Sequence, residues 1–304
     1  MVFKSILIGG VGLISTIGFI GLGAMGEPMC KNLAKGSGKK VLAYDLASEP
    51  LERLAAEGVQ KGEDALQVAR ESDVLFLSLP SGQHVKSLML GEDGIANELK
   101  QGATVVDLST TSVEDARWLE RELQAYKVKF ADAPVARTRQ AAIDGNLCVM
   151  VGCAETIYGN IKELLQHIAS DIIHCGDVGA GQLAKILNNM VLFDTVASLS
   201  EALVICEKSG ADPKKIFEAM SLGSADSFAL RNHCMKFMLE NDFPEKKFPT
   251  SYALKDLSYA LELAENYGLT LGMAENTKSL FQKAIKEGYG EQYFPVIVNS
   301  MRND

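Results

Sequence analysis

Short apolar runs alternate with longer mixed stretches from residue 17 to about residue 177. Mixed stretches such as SVEDARWLERELQAY are typical of helices. The apolar runs have the length of buried strands, and they read TIGFIGLG, KKVLAYD, DVLFLSLP, ATVVDLST, KFADAPV, LCVMVG and DIIHC. This alternation predicts a mainly parallel sheet with helices on both faces, a doubly wound α/β domain.

The strand pattern ends after Gly181. The segment QLAKILNNMVLFDTVASLSEALVICEKSG predicts one long helix, and the remainder predicts four or five further helices. The pattern changes near the residues GDVGAG, and no Pro-rich linker marks the boundary. We therefore expect an α/β domain over residues 17–177 and an all-helical domain over residues 178–304.

Residues 1–16 precede the first predicted strand and contain the apolar segment ILIGGVGLI. This segment is far too short to span a bilayer. No small-residue cleavage site of a secretory signal follows it. We expect residues 1–16 to form an extension outside the fold.

Charge and cysteine content narrow the classes of protein. A net charge of −9 and a pI near 5.1 argue against nucleic acid as a partner, because the two would repel each other. The six cysteines contain no C-x-x-C pair. They predict reduced thiols in a cytoplasmic protein, with neither a disulfide framework nor a metal site. No membrane partner is expected.

A glycine-rich motif lies between the first predicted strand and helix. Gly21 permits a tight turn, Gly23 lets the backbone approach a pyrophosphate, and Gly26 allows the helix to pack closely on the strand. The helix N-terminus then offers free N–H groups to the phosphates. The predicted cofactor-binding loop is Gly21, Leu22, Gly23, Ala24, Met25 and Gly26.

Asp45 ends the second predicted strand, 19 residues after Gly26. A carboxylate at this place accepts hydrogen bonds from the ribose hydroxyls and repels a 2′-phosphate. The next residues, Leu46, Ala47 and Ser48, include no Arg that could neutralise such a phosphate. The sequence therefore predicts a dinucleotide site that favours NAD over NADP.

The start of the long helix carries polar residues on one face. Projected at about 100° per residue, Lys185, Asn188 and Asn189 lie opposite an apolar face. That polar face becomes apolar farther along, at Leu192 and Val196, whereas a solvated face would stay polar. We therefore expect Lys185 and Asn189 to line a cleft. A partly buried Lys has a lowered pKa and can exchange a proton with a carbonyl or hydroxyl oxygen.

With these residues, the chain resembles the β-hydroxyacid dehydrogenase family from residue 17 to near the C-terminus. The similar motifs are GFIGLGAMGEPM, DLST (107–110), GAGQLAKILNN and KDL (255–257). The resemblance implies a Rossmann domain joined by a long helix to an all-helical domain, in a homodimer or homotetramer. It implies Lys185 as the general acid/base, Ser109, Asn188 and Asn189 as substrate ligands, and Leu79, Pro80, Thr110 and Lys255 at the cofactor.

One motif departs from the family pattern. The family usually has Asp-Ala-Pro-Val-Ser-Gly-Gly, with backbone N–H groups that meet the acid group of the substrate. This chain reads DAPVARTRQAA, so Ala136, Arg137 and Thr138 replace the Ser and both Gly residues. This change is similar to the sulfolactaldehyde reductase branch of the family.

The arginine in this motif suggests a substrate. A guanidinium makes bidentate bonds to sulfonate, phosphate or carboxylate. We therefore interpret Arg137, with Thr138, as the clamp for the acid end of the substrate, and we expect Arg139 to face solvent. This predicts an oxidoreductase for a short anionic aldehyde, with sulfolactaldehyde narrowly favoured over carboxylic semialdehydes such as tartronate or succinate semialdehyde. The alternative is a non-catalytic dinucleotide-binding sensor or scaffold.

Overall fold

The computed structural model of the chain describes residues 14–245 and 247–302. The chain divides into two compact units, with the boundary between Gln182 and Leu183. Of the extension expected at residues 1–16, residues 1–13 lie outside the described residues. Residues 14–16 are described, and Thr16 is the first residue of the first strand.

Nine strands form the sheet of the first unit, and the seven apolar runs supply eight of them. The run KFADAPV divides into two short strands because a proline interrupts it, and the two-residue strand β3 was not predicted. The strands are β1 (Thr16–Ile20), β2 (Lys40–Tyr44), β3 (Gln60–Lys61), β4 (Val74–Leu77), β5 (Thr104–Asp107), β6 (Lys129–Asp132), β7 (Val135–Ala136), β8 (Leu147–Gly152) and β9 (Ala169–Gly176).

The sheet is mainly parallel, as predicted. Neighbouring strands are parallel throughout the order β3-β2-β1-β4-β5-β6. β8 pairs antiparallel with β6 and β7 and parallel with β9. The strand order reverses between β1 and β4, so a crevice forms outside the carboxyl ends of these strands. The predicted cofactor residues between Gly21 and Thr110 directly follow β1, β2, β4 and β5.

Helices flank this sheet and share its apolar core. In the core, the rings of Phe19 and Phe76 stack with their centroids 6.1 Å apart, and both side chains are fully buried. A 3₁₀ turn spans Ile95–Glu98. The helices are α1 (Gly26–Gly36), α2 (Ser48–Ala55), α3 (Ala65–Glu71), α4 (Gly82–Leu90), α5 (Val113–Gln124), α6 (Arg139–Ile143) and α7 (Glu155–Leu165).

The predicted long helix is α8 (Ala180–Ser209), which begins in the first unit and continues through the second. No strand follows it among the residues described for the second unit, apart from a single bridge between Pro249 and Tyr293. The other elements are α9 (Pro213–Ser221), a π-helix (Leu230–Met238), α10 (Thr250–Asn266), α11 (Gly272–Lys286), a 3₁₀ turn (Phe294–Val296) and α12 (Ile297–Arg302). The predicted fold class, a Rossmann domain and an all-helical domain, is confirmed.

The core of the second unit is centred on Phe193 in the middle of α8. Its ring meets the edges of the Phe281 and Phe294 rings at centroid distances of 5.4 and 5.2 Å. All three side chains are fully buried. These aromatic contacts join α8 to α11 and to the 3₁₀ turn that precedes α12.

In the first three turns of α8, Gln182, Lys185 and Asn189 are buried, whereas Asn188 is exposed. Lys185 and Asn189 are 9% and 1% exposed, whereas Leu187 and Val191 on the apolar face are 42% and 59% exposed. The buried face continues through Val196, as the sequence predicts. By length and composition α8 could also cross a membrane, a test that core helices of soluble proteins pass as well.

Candidate functional site

The three glycines of the loop after β1 differ in the space that a side chain would have at each position. Gly21 has a φ of +96°, and a Cβ atom there would lie 2.3 Å from the Ser78 carbonyl oxygen. A Cβ atom on Gly26 would lie 2.0 Å from the Gly21 oxygen. A Cβ atom on Gly23 would meet nothing within 4 Å. The fold itself thus requires Gly21 and Gly26, while Gly23 leaves open space beside the loop.

The N-terminus of α1 follows this open space. Met25, at the N-cap, makes no side-chain cap hydrogen bond. The acidic residue of the first turn, Glu27, is ion-paired with Arg53, whose Nε lies 2.6 Å from Glu27 Oε1. Free N–H groups and the positive end of the helix dipole suit a dinucleotide pyrophosphate. The loop as folded therefore fits the phosphates of NAD(P).

Asp45 lies beside the same loop, directly after β2. Its carboxylate accepts hydrogen bonds from the Leu22 N–H at 2.5 Å and from the Ala47 N–H at 2.8 Å. The side chain is half-buried, whereas Leu46 is 94% exposed. A carboxylate held in this way retains acceptor capacity for ribose hydroxyls.

The segments after β4 and β5 are bonded to each other. The Leu79 N–H donates to Ser109 Oγ at 2.9 Å, and the Ser109 N–H donates to Asp107 Oδ1 at 2.9 Å. Ser109 is buried, Thr110 is half-buried and Pro80 is exposed. Four of the predicted residues thus form two adjacent segments at the carboxyl edge of the sheet.

The first turn of α8 is fixed to the end of the sheet by buried hydrogen bonds. The Asp132 carboxylate accepts from the Gly179 N–H and the Gln182 N–H, both at 2.7 Å. The Gln182 side chain donates to the Ser109 carbonyl oxygen at 2.8 Å and accepts from the Thr111 N–H at 3.0 Å. Neither Asp132 nor Gln182 was predicted from the sequence as part of the site. The available signal was a carboxylate inside the apolar run KFADAPV.

Asp107 and Asp132 form a pair of buried carboxyl groups. They are register partners at the ends of the parallel strands β5 and β6. Burial raises the pKa of Asp107 to about 7, although hydrogen bonds from Ser109 oppose the shift. Burial likewise raises the pKa of Asp132 to about 6, against the opposing effect of the backbone N–H groups of Gly179 and Gln182.

The guanidinium of Arg137 binds other residues of the chain. Its Nη1 donates to the Asn146 carbonyl oxygen at 2.7 Å and to Ser170 Oγ at 2.8 Å, and its Nη2 pairs with Asp171 Oδ2 at 2.7 Å. The Ser170 hydroxyl and the guanidinium lower the pKa of Asp171. Arg137 therefore joins the loop after β7 to β9. Its donors bind the chain itself in this structure, and the role of Arg137 as a clamp for the substrate acid stays a prediction.

The backbone of Arg137 explains this arrangement. Its φ is 88°, a conformation that favours glycine and costs another residue about 1–2 kcal/mol. The bonds to Asn146, Ser170 and Asp171 hold the residue in this conformation. The loop thus has a backbone conformation that favours glycine, although the residue is an arginine.

The two residues after Arg137 begin α6. Thr138, predicted to bind substrate, is half-buried and caps this helix, since its Oγ1 accepts from the Ala141 N–H at 3.3 Å. Arg139 is exposed, as expected. Its Nε nevertheless donates to the Ala24 carbonyl oxygen of the glycine-rich loop at 3.3 Å.

In the second unit, α8 and α10 bring together the other predicted residues. Asn189 Nδ2 donates to Asp256 Oδ2 at 2.8 Å, and the Asn189 oxygen accepts from Asn188 Nδ2 at 3.1 Å. Lys185 lies one helical turn before Asn189, and both are buried, whereas Asn188 is exposed. The side-chain amide of Asn189 is therefore held in one orientation.

Lys255 and Asp256 are consecutive on α10. Lys255 Nζ lies 3.0 Å from Asp256 Oδ1, and it also lies 5.5 Å from the ring centroids of Tyr252 and Tyr259. Asp256 is 4% exposed and Oδ1 makes no hydrogen bond among the described groups, so this contact is an ion pair only. Of the KDL motif, only the lysine was predicted to belong to the site. Asp256 is the residue that orients Asn189.

Comparison with protein families matches both units. Residues 16–176 match the NAD-binding domain of 6-phosphogluconate dehydrogenase. Residues 179–300 match the NAD-binding domain of NADP-dependent 3-hydroxyisobutyrate dehydrogenase. The two matches meet at the start of α8, where the sequence pattern changes.

Individual relatives span nearly the whole chain. A 2-(hydroxymethyl)glutarate dehydrogenase of Eubacterium barkeri is 35% identical over 93% of each chain. A 2-hydroxy-3-oxopropionate reductase of Escherichia coli is 31% identical over 94% of this chain and 96% of its own. The structure of Mycobacterium tuberculosis 3-hydroxyisobutyrate dehydrogenase with L-serine superimposes with a TM-score of 0.86 at 30% identity, covering 95% of this chain and all of that one.

The Arg137 bonds can be tested by comparing two substitutions. Arg137→Ala removes the side-chain bonds but keeps the strained φ, whereas Arg137→Gly removes both. We expect the Tm of Arg137→Ala to lie about 2–8 °C below that of Arg137→Gly in a thermal unfolding scan. Turnover of anionic and neutral aldehydes should fall equally in Arg137→Ala.

Asp171→Asn removes the ion-pair partner and should resemble Arg137→Ala, and the double variant should lose little more. A loss of turnover confined to anionic aldehydes, at an unchanged Tm, would instead support Arg137 as the residue that binds the substrate's acid group.

Proposed function

Because the chain belongs to the β-hydroxyacid dehydrogenase family, which includes 3-hydroxyisobutyrate dehydrogenase, we propose that it reversibly reduces a short carboxylate-bearing aldehyde with NADH. As a member of this family it is an NAD(P)-dependent oxidoreductase acting on CH–OH groups.

The observation that carries the mechanism is the buried set Lys185, Asn189 and Asp256. Bound NADH supplies the hydride for the carbonyl carbon of the aldehyde. The Lys185 ammonium donates the proton that the carbonyl oxygen takes up, so an alcohol and a neutral lysine result. In the reverse direction the neutral lysine accepts the hydroxyl proton. Water is largely excluded from Lys185, which is 9% exposed.

Asn189 holds the reacting oxygen in this proposal. The Asn189 amide has an NH₂ group that donates hydrogen bonds and an oxygen that accepts them. Because a carboxylate only accepts, Asp256 binds the NH₂ group and thereby fixes the orientation of the whole amide. Asp256 acts through Asn189 and is therefore a positioning residue. Lys255 Nζ lies beside Asp256 Oδ1 and forms an ion pair with this carboxylate.

The backbone at Arg137 supports a carboxylate as the substrate's acid group. The preference for sulfolactaldehyde rested on a free guanidinium, and that guanidinium is bound to Asn146, Ser170 and Asp171. The loop keeps its glycine-type conformation, which the family resemblance associates with backbone N–H groups that bind a carboxylate. The named substrates of the two relatives, hydroxymethylglutarate and 2-hydroxy-3-oxopropionate, are carboxylates as well.

The test is NADH oxidation with matched aldehydes that carry a carboxylate, a sulfonate or no charge. We expect the carboxylate series to have the highest kcat/KM. Lys185→Ala should lower kcat by about 10²–10⁴-fold, the usual range for a positioned acid–base group, without weakening NADH binding. Lys208→Ala changes an exposed lysine near the end of the same helix and is the control.

Two results would contradict this proposal. A Lys185→Ala variant with most of its activity would exclude Lys185 as the proton donor. Absence of turnover with every aldehyde, at normal NADH affinity, would instead favour a non-catalytic dinucleotide-binding protein.

The carboxylate of Asp45 leads us to expect a preference for NADH over NADPH. A 2′-phosphate would be placed against this carboxylate, and like charges in contact are strongly unfavourable. The kcat/KM with NADH should exceed that with NADPH at least about tenfold. Asp45→Asn, which keeps an acceptor oxygen for one backbone N–H, should narrow the ratio. Asp93→Asn, at an exposed site, should not change it, and equal kcat/KM values in the unmodified protein would refute the preference.

A further inference from the structure

Arg139 contacts the glycine-rich loop from a distant part of the chain. Its Nε donates to the Ala24 carbonyl oxygen at 3.3 Å, although 115 residues separate the two. Its two terminal NH₂ groups make no hydrogen bond or ion pair with any residue that the structure describes. The contact therefore places a cation beside the loop with both terminal groups available to a ligand.

Several contacts hold Arg139 in this place. It is the first residue of α6, which Thr138 caps. Farther along the same two helices, Asn32 of α1 donates to the Ala142 and Ile143 carbonyl oxygens at 2.8 and 3.3 Å. α6 is thus bonded to the α1 region at both ends, so the backbone of Arg139 is fixed beside the start of α1.

The loop itself has no positive side chain. None of residues 21–26 is basic, and the first acidic residue after them, Glu27, is paired with Arg53. A dinucleotide pyrophosphate carries two negative charges and would meet only backbone N–H groups from this loop. A guanidinium adds charge-assisted bonds in a planar fork that matches phosphate oxygens.

The position of the Arg139 contact along the loop indicates which part of the dinucleotide lies beside it. Asp45, at the ribose end, binds the Leu22 N–H. Arg139 binds Ala24, which directly follows Gly23 and the open space beside it. We infer that Arg139 is a cofactor-binding residue whose guanidinium binds the pyrophosphate of NAD(H) against the Gly21–Gly26 loop. This inference depends on the dinucleotide site and is independent of which aldehyde is reduced.

The test measures binding of ADP-ribose, which carries the pyrophosphate, and of adenosine, which carries no phosphate. Arg139→Ala should weaken ADP-ribose and NADH about 10- to 100-fold, the range for loss of a charge-assisted hydrogen bond. Adenosine affinity and Tm should stay unchanged, and Arg139→Lys should retain part of the ADP-ribose affinity. Arg121→Ala, an exposed arginine of the same unit, is the control.

The salt dependence gives a second measurement. The affinity for ADP-ribose should fall with salt more steeply in the unmodified protein than in Arg139→Ala, because one ionic contact is missing in the variant. Unchanged ADP-ribose affinity in Arg139→Ala would overturn the inference. So would a loss seen only in the KM of anionic aldehydes at saturating NADH, which would assign Arg139 to the substrate. Failure of the proposed aldehyde chemistry would leave the ADP-ribose result unaffected.

Discussion

The first turn of α8 depends on one buried carboxylate. Asp132, at the end of β6, accepts the N–H groups of Gly179 and Gln182. Gly181 gives this carboxylate room, since a Cβ there would lie 2.8 Å from Asp132 Oδ2 and 2.4 Å from the Met150 oxygen. The helix that carries Lys185 and Asn189 therefore begins at a fixed point of the sheet.

A second local constraint shapes the loop after β7. Arg137 adopts a left-handed backbone, and its side chain compensates by binding β9. Thr138 then caps α6, and Arg139 reaches the glycine-rich loop. The charged residues of this motif thus divide their roles, because Arg137 maintains the backbone and Arg139 is available to a phosphate.

Sequence periodicity predicted most of the fold because buried strands and an amphipathic helix leave strong local patterns. The glycine spacing and the end of the second strand also pointed to Gly21, Gly26 and Asp45, because a strand–turn–helix unit is local in sequence. The contacts of Arg137 within the chain were not predicted, because its partner Asp171 is 34 residues away. Neither this pairing nor the left-handed φ has a local signature. For the same reason the anchoring role of Asp132 was not predictable.

The anchoring role of Asp132 is tested most directly by hydrogen exchange in Asp132→Asn. The amide replaces one acceptor oxygen with a donor, so one of the N–H groups of Gly179 and Gln182 loses its partner. Exchange at these two amides should accelerate about 10- to 100-fold, with a parallel loss of turnover, whereas Asp93→Asn should change neither. Unchanged protection of both amides would show that α8 is anchored by other contacts and would contradict this account.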